Sequence, residues 1–213
     1  MISRFVNADP RTLIIRVLVA AGHAAIGVSG EEIIEFLEAS FGVFQIEQTG
    51  STAGWNRDVL QQALDDLARH GLVERGHDGH FHLTAIGRLA GESAVEVETL
   101  LRAIHCLRGL RAEEVTDPAL IAIAQSSVEL DAVYFPVNKK SKQKEPQHWV
   151  RELRQQGISS TILSGLQRNM KEPTQDTVRA KKAVACLYYI SGMGMEEIET
   201  AVSQFGGAFD GAA

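Results

Sequence analysis

The stretch Leu72-Val-Glu-Arg-Gly-His-Asp-Gly-His-Phe-His-Leu-Thr84 decides how the first half of the chain is read. Leu72 to Arg75 and His80 to Thr84 are short extended-type segments, and the Asp78-Gly79 between them tolerates the positive φ that a tight hairpin needs. A β-hairpin is expected here. Immediately upstream, Asn56 to His70 carries Val59, Leu60, Ala63, Leu64 and Leu67 at helical spacing, with Gly71 placed as the stop. Further back, Ser29 and Glu32 have the spacing of a capping box at the head of a helix reaching Ser40, whose apolar face is Ile33, Ile34, Phe36 and Leu37. Pro10 opens an apolar helix over 11–21 that Gly22 ends, and the polar, Gly/Ser/Thr-rich Gln45 to Gly54 reads as a loop.

Three helices followed by a hairpin is the order of a winged helix, in which the third helix is the usual groove reader and the hairpin is the wing. Beyond Arg88 the periodicity stays helical: Val95 to Leu110, Pro118 to Val128 behind the Thr116-Asp117-Pro118 start signal, Gln147 to Gln156, Thr177 to Ser191, and Met195 to Phe205. The expected fold is therefore mostly α, a winged-helix domain over 1–90 followed by an all-α domain over 91–213. No internal repeat is present, and the small, unperiodic Gly206 to Ala213 reads as a loop at which a larger helical domain has been cut.

Composition bounds the function. The apolar fraction of 45% and charged fraction of 23% are those of a folding globular chain, and the formal net charge of −6 excludes indiscriminate nucleic-acid binding by the whole surface. Local asymmetry is strong: between Lys139 and Lys182, 11 Lys or Arg face four acids, a balance of +7, which leaves −13 for everything else. Cys106 and Cys186 lie in apolar helical stretches without a CxxC partner, so both read as inert thiols of a reducing cytoplasm. No segment approaches the run of about 20 apolar residues that spans a bilayer, and Met1 to Asp9 lacks the pattern of an export signal. A cytoplasmic protein with no membrane contact is expected.

Several phrases together resemble the region that follows the second motor domain in DEAD/DEAH-box superfamily-two helicases carrying a winged helix and a helical ratchet domain. Arg11-Thr-Leu-Ile-Ile-Arg-Val-Leu18 followed by Glu31-Glu-Ile-Ile-Glu-Phe-Leu-Glu-Ala-Ser-Phe41 is similar to that family's entry to its winged helix. Leu83-Thr-Ala-Ile-Gly-Arg-Leu89 is similar to its exit from the wing. Ala180-Lys-Lys-Ala-Val-Ala-Cys-Leu-Tyr-Tyr-Ile-Ser-Gly-Met-Gly-Met-Glu-Glu-Ile-Glu199 resembles the helix pair preceding the ratchet helix, which would itself fall after Phe205. The chain departs from the family's motor: it has no GxxxxGK[ST] phosphate loop, no acidic metal motif on a strand and no arginine-finger segment. The resemblance thus implies a non-catalytic accessory region, with ATP and Mg belonging to absent motor domains and no cofactor of its own.

Candidate contact residues follow. Lys139, Lys140, Lys142 and Lys144 in a polar loop, Trp149, Arg151 and Arg154 on the next helix, and Lys181 and Lys182 further on are suited to phosphate contact and base stacking. The alternative is a solvated loop with a core tryptophan. On the third helix Asn56, Arg57, Gln61 and Gln62 are types that meet base edges, although Asp58, Asp65 and Asp66 on the same helix repel phosphate. A docking use for this module is the competing reading. His77, His80 and His82 have ligand-compatible spacing in the hairpin, but with no neighbouring Cys they read as surface residues and no metal is expected. No catalytic arrangement is legible: Gly192-Met-Gly194 follows a helix and so lacks the dinucleotide context.

The resulting expectation is an accessory region of an ATP-dependent DNA or RNA helicase, monomeric, partnered by motor domains in cis or in trans and touching single-stranded nucleic acid. The alternative is a self-standing winged-helix transcriptional regulator that binds duplex DNA as a dimer, and a protein-binding adaptor is a third possibility.

Overall fold

The computed structural model describes residues 9–23, 28–40, 56–93, 95–138 and 144–205. The chain divides into two compact units, Met1–Val97 and Glu98–Ala213. It is mostly helical, with one small three-stranded sheet among the described residues. No helix among the described residues is long and apolar enough to cross a membrane. The loop expected over Gln45 to Gly54 and the tail from Gly206 lie outside the described residues.

The first unit runs α1 (Pro10–His23), β1 (Val28–Ser29), α2 (Gly30–Glu38), α3 (Arg57–Arg69), β2 (Val73–Arg75), β3 (His80–Leu83) and α4 (Ala85–Glu92). The capping box at α2 forms as its spacing predicts: Ser29 Oγ accepts from the Glu32 amide and the Glu32 carboxylate accepts from the Ser29 amide. At the end of α3, Gly71 takes φ +70°, and the Leu72 and Gly71 amides donate back to the Leu67 and Ala68 carbonyls, a Schellman closure. The hairpin forms with a three-residue loop over 77–79 rather than a two-residue one. The amide of Gly79, at φ +82°, donates to the Gly76 carbonyl, and the ladder closes from the Gly76 amide to the His80 carbonyl.

The sheet contains a strand that sequence periodicity did not disclose. β1 is only two residues long, too short for any alternation to register, and it pairs antiparallel with β3 (Val28 opposite Phe81) to give the order β1-β3-β2. Behind the sheet, Ile14, Ile15, Ile33, Leu60, Leu64, Leu67 and Leu72 are almost wholly buried where α1, α2 and α3 converge. The unit extends past the expected boundary at 90 because α4 packs on α1 and because Thr12 Oγ1 donates to Glu96 and accepts from the Val97 amide. Thr84 caps α4 and its hydroxyl donates to the Gly71 carbonyl, so hairpin exit and helix start share one residue. Gly87 is required by close approach: a Cβ there would sit 1.8 Å from the Leu72 carbonyl oxygen.

The second unit contains α5 (Val97–Arg108), a 3-10 turn (Ala112–Glu114), α6 (Asp117–Ala124), α7 (Val128–Asp131), α8 (Lys144–Gln155), α9 (Ser160–Leu166), α10 (Gln175–Ile190) and α11 (Met195–Ser203). α10 is its axis, packed by α6, α8, α9 and α11. Trp149 and Leu153 of α8, both at 0% exposure, lie in one core with Ala183 and Val184 of α10. Surrounded this way, the N-terminal half of α10 is buried on nearly every side, including Arg179, Lys181 and Lys182.

Candidate nucleic-acid interface

α8 presents two faces of opposite chemistry. Glu145, Trp149 and Leu153, spaced four apart, point inward, while Lys144, Arg151 and Arg154 are exposed on the other side. The seven steps from Lys144 to Arg151 span about 10 Å of helix axis and the next three about 4–5 Å. Three cations are thereby spread along one helical edge. Arg151 reaches the His148 ring at 3.1 Å and only grazes Glu152 at 4.0 Å, and Arg154 forms no ion pair among the described residues. Charges held this loosely remain available to phosphate oxygens.

The inward face anchors the helix to the core. Lys181 Nζ and Glu145 Oε1 are 3.0 Å apart at 0% and 1% side-chain exposure. The same carboxylate accepts from Trp149 Nε1 at 3.2 Å and from the Asn138 amide at 2.7 Å, and the ammonium also donates to the Pro136 carbonyl while lying 5.6 Å from the Trp149 ring centre. A buried ion pair survives only when its remaining hydrogen-bonding capacity is met, as it is here.

Three sequence-based assignments are corrected by this arrangement. Trp149 is fully enclosed and cannot stack on a base; its indole is the floor of the core under α8. Lys181 is spent on Glu145. Lys182, 5% exposed, donates to the Leu130 carbonyl, and burial holds its ammonium below the ordinary lysine pKa, only partly countered by Asp131. A pair of adjacent lysines normally marks a solvated face, whereas α10 is enclosed by neighbouring helices. Lys139, Lys140 and Lys142 lie outside the described residues; Lys144, Arg151 and Arg154 are the assigned residues that the structure brings onto one exposed edge.

Sequence reasoning also missed a second buried hub. Asp131, at the end of α7, takes Arg179 in a two-pronged contact at 2.7 and 2.6 Å and Arg102 at 2.9 Å. Arg179 also donates to the Leu166 and Arg168 carbonyls, and Arg102 to the Ser126 carbonyl. Burial opposes the charge on Asp131, yet the hydrogen bonds and charges of Arg179 and Arg102 prevail and hold its carboxyl below the usual range. The hub joins α5, α7, α10 and the exit of α9. Nothing in the spacing of residues so far apart in sequence could have announced it.

On α3 the base-reading candidates are engaged within their own unit. Asn56 caps the helix by accepting from the Val59 amide, Arg57 pairs with Glu31 and lies 3.7 Å from Glu38, and Gln61 donates to Asp65 at 3.0 Å. Gln62 remains exposed. In the hairpin, His80 and His82 both face Asp78, at 3.0 and 3.7 Å, and the contact with His80 draws the Asp78 carboxyl down to about 2. No group of three or more metal-ligating side chains comes together among the described residues. Cys106 is buried and Cys186 half-buried, and burial pushes both thiols up, away from the reactive thiolate.

No protein-family model matches the chain, and no curated protein matches it.

Proposed function

We propose that this chain is a non-catalytic accessory region of an ATP-dependent helicase. Its first unit would be a winged-helix module that docks on protein, and its second a helical module that contacts the backbone of single-stranded DNA or RNA. The observation that carries the reading is the exposed edge of α8, where Lys144, Arg151 and Arg154 sit on a helix anchored from behind by Trp149 and the Glu145–Lys181 pair. An edge of cations with no exposed Trp, Tyr or Phe on its helix favours phosphate contact over base stacking, with Gln147 and Gln155 exposed alongside as neutral hydrogen-bonding groups. The winged-helix reading is supported by the order of three helices and a hairpin and by the β1-β3-β2 sheet. The self-standing regulator is less favoured, because Asn56, Arg57 and Gln61 are occupied by partners on their own unit and Arg57 is ringed by Glu31 and Glu38.

The test is a titration of fluorescent single strands and duplexes of about 20 nucleotides at two salt concentrations, with wild-type chain and with Lys144, Arg151 and Arg154 all changed to Glu. Circular dichroism controls for folding. Salt-sensitive, sequence-indifferent single-strand binding is expected, falling at least about tenfold in the triple variant, with the salt slope shrinking by about 0.7 per phosphate contact removed. Tight, sequence-selective duplex binding that survives the triple change would overturn the proposal in favour of the regulator. Absence of any binding would overturn it in favour of a docking protein.

A further inference from the structure

The far end of α10 is built differently from its buried, cation-rich beginning. From Ala183 to Ile190 it carries no charge, and after the turn at Gly192, φ +90°, α11 folds back against it through Ile198 and Val202. Burial on this side is incomplete. Tyr189, Ile190 and Met195 stay 65, 65 and 60% exposed, although they are large apolar side chains clustered where the two helices meet. With Phe135 and Cys186 they line an open groove of about 480 Å³. Contiguous apolar surface of this kind marks an interaction site far more often than isolated exposed residues do.

The rim chemistry selects the occupant. Glu199 is the one charged side chain among the lining residues; Glu196, one turn before it, is an exposed acid, and α11 contains no cation. An acidic rim repels a phosphate backbone, so this face is chemically distinct from the basic edge of α8. Glu199, Tyr189 and Cys186 are the lining residues with polar side-chain atoms, the rest of the lining is apolar, and no strand edge lies among the residues that form it. Its walls are two helices of a hairpin, whose cleft accepts a third helix by the ordinary rules of helix packing.

We propose that the α10–α11 groove docks an amphipathic helix of a protein partner, one with an apolar stripe at i, i+3/i+4 and i+7 flanked by Lys or Arg that pair with Glu196 and Glu199. This inference does not depend on the nucleic-acid reading.

The experiment uses the full chain carrying Cys106→Ala and two fluorescein-labelled synthetic helices, one of Leu and Lys with Leu at the stripe positions, the other identical with Glu for Lys. Anisotropy reports binding, and the rate of maleimide labelling at Cys186, inside the groove, reports its place. The Leu/Lys helix is expected to bind at least about tenfold tighter than the Leu/Glu helix and to slow Cys186 labelling at least about fivefold. Ile190→Glu with Met195→Glu should weaken it about tenfold or more, and Glu196→Lys with Glu199→Lys, at exposed sites that leave folding intact, should invert the charge preference. Equal binding of both helices, no protection of Cys186, or indifference to the Glu-to-Lys pair would overturn the proposal. So would a chain that elutes as a dimer with Cys186 already protected, since the groove would then be filled by a second copy.

Discussion

Breaking the Lys181–Glu145 pair from one side is the sharpest test of how α8 is held. Lys181→Met leaves a carboxylate at 1% exposure with only the Trp149 and Asn138 N–H groups for company, and Glu145→Gln leaves an ammonium at 0% exposure with neutral oxygens alone, the Pro136 carbonyl and the new amide. Removing one partner of a buried pair costs about 3–5 kcal/mol, because the survivor keeps its desolvation penalty without the Coulombic return. The double variant removes both charges, while the amide placed at position 145 retains an oxygen for Trp149 Nε1, so its cost should be no more than about 1–2 kcal/mol. With a urea m-value of about 2 kcal/mol/M, each single change lowers the unfolding midpoint by roughly 1.5–2.5 M and the double by under about 1 M. The assay is urea unfolding followed by fluorescence of Trp149, with Trp55 replaced by Phe. Single-variant midpoint shifts below about 0.5 M, or costs that simply add in the double, would refute the claim that the two charges stabilise each other.

Two further outcomes follow from the same geometry. Asp131→Asn should destabilise the second unit by about 3 kcal/mol at pH 7, since Arg179 and Arg102 lose their buried counter-charge. The folded carboxyl lies below its unfolded value, so this contribution is fully present above about pH 4 and is lost as the pH falls through the folded pKa. Thermal unfolding of wild type and variant should therefore converge in acid; a difference that persists unchanged at about pH 2 would contradict the charge-based account. Gly87→Ala should destabilise the first unit by about 3 kcal/mol, lowering its melting temperature by more than about 10 °C, because the added methyl group meets the Leu72 carbonyl oxygen and must push α4 off the hairpin. A shift under about 2 °C would show that α4 has room to move.

The expected site separates into parts that are legible in the sequence and parts that are not. Arg151 and Arg154 read as exposed cations on a helix, and are, because the spacing of Trp149 and Leu153 already defines an inward face opposite them. Lys181 and Lys182 mislead because lysine composition signals a surface only when the helix has one. Asp131 and Glu145, the residues that neutralise the interior cations, carry no local sign: their partners lie 48 and 36 positions away. α9 escapes the periodicity since Ser160-Thr-Ile-Leu-Ser-Gly-Leu166 mixes small and polar residues in a run too short for a period to emerge. α7 goes unread, and its predecessor is carried on to Val128, because Gln125-Ser-Ser127 offers no Gly or Pro to mark the break between them.

By itself the sequence determined what depends on neighbours within a few residues. Caps at Ser29, Thr84 and Thr116, the stop at Gly71 and the turn at Gly79 follow from local hydrogen bonds and allowed φ, and the helices of the first unit follow from apolar periodicity. Tertiary structure alone decided the third strand, whose two residues exist only as a partner for β3, and which charges face water. Solvation of a lysine depends on whether other helices surround it, and that is settled by packing between segments distant in sequence. The same runs of Lys and Arg therefore became an exposed edge on α8 and a buried network in α10.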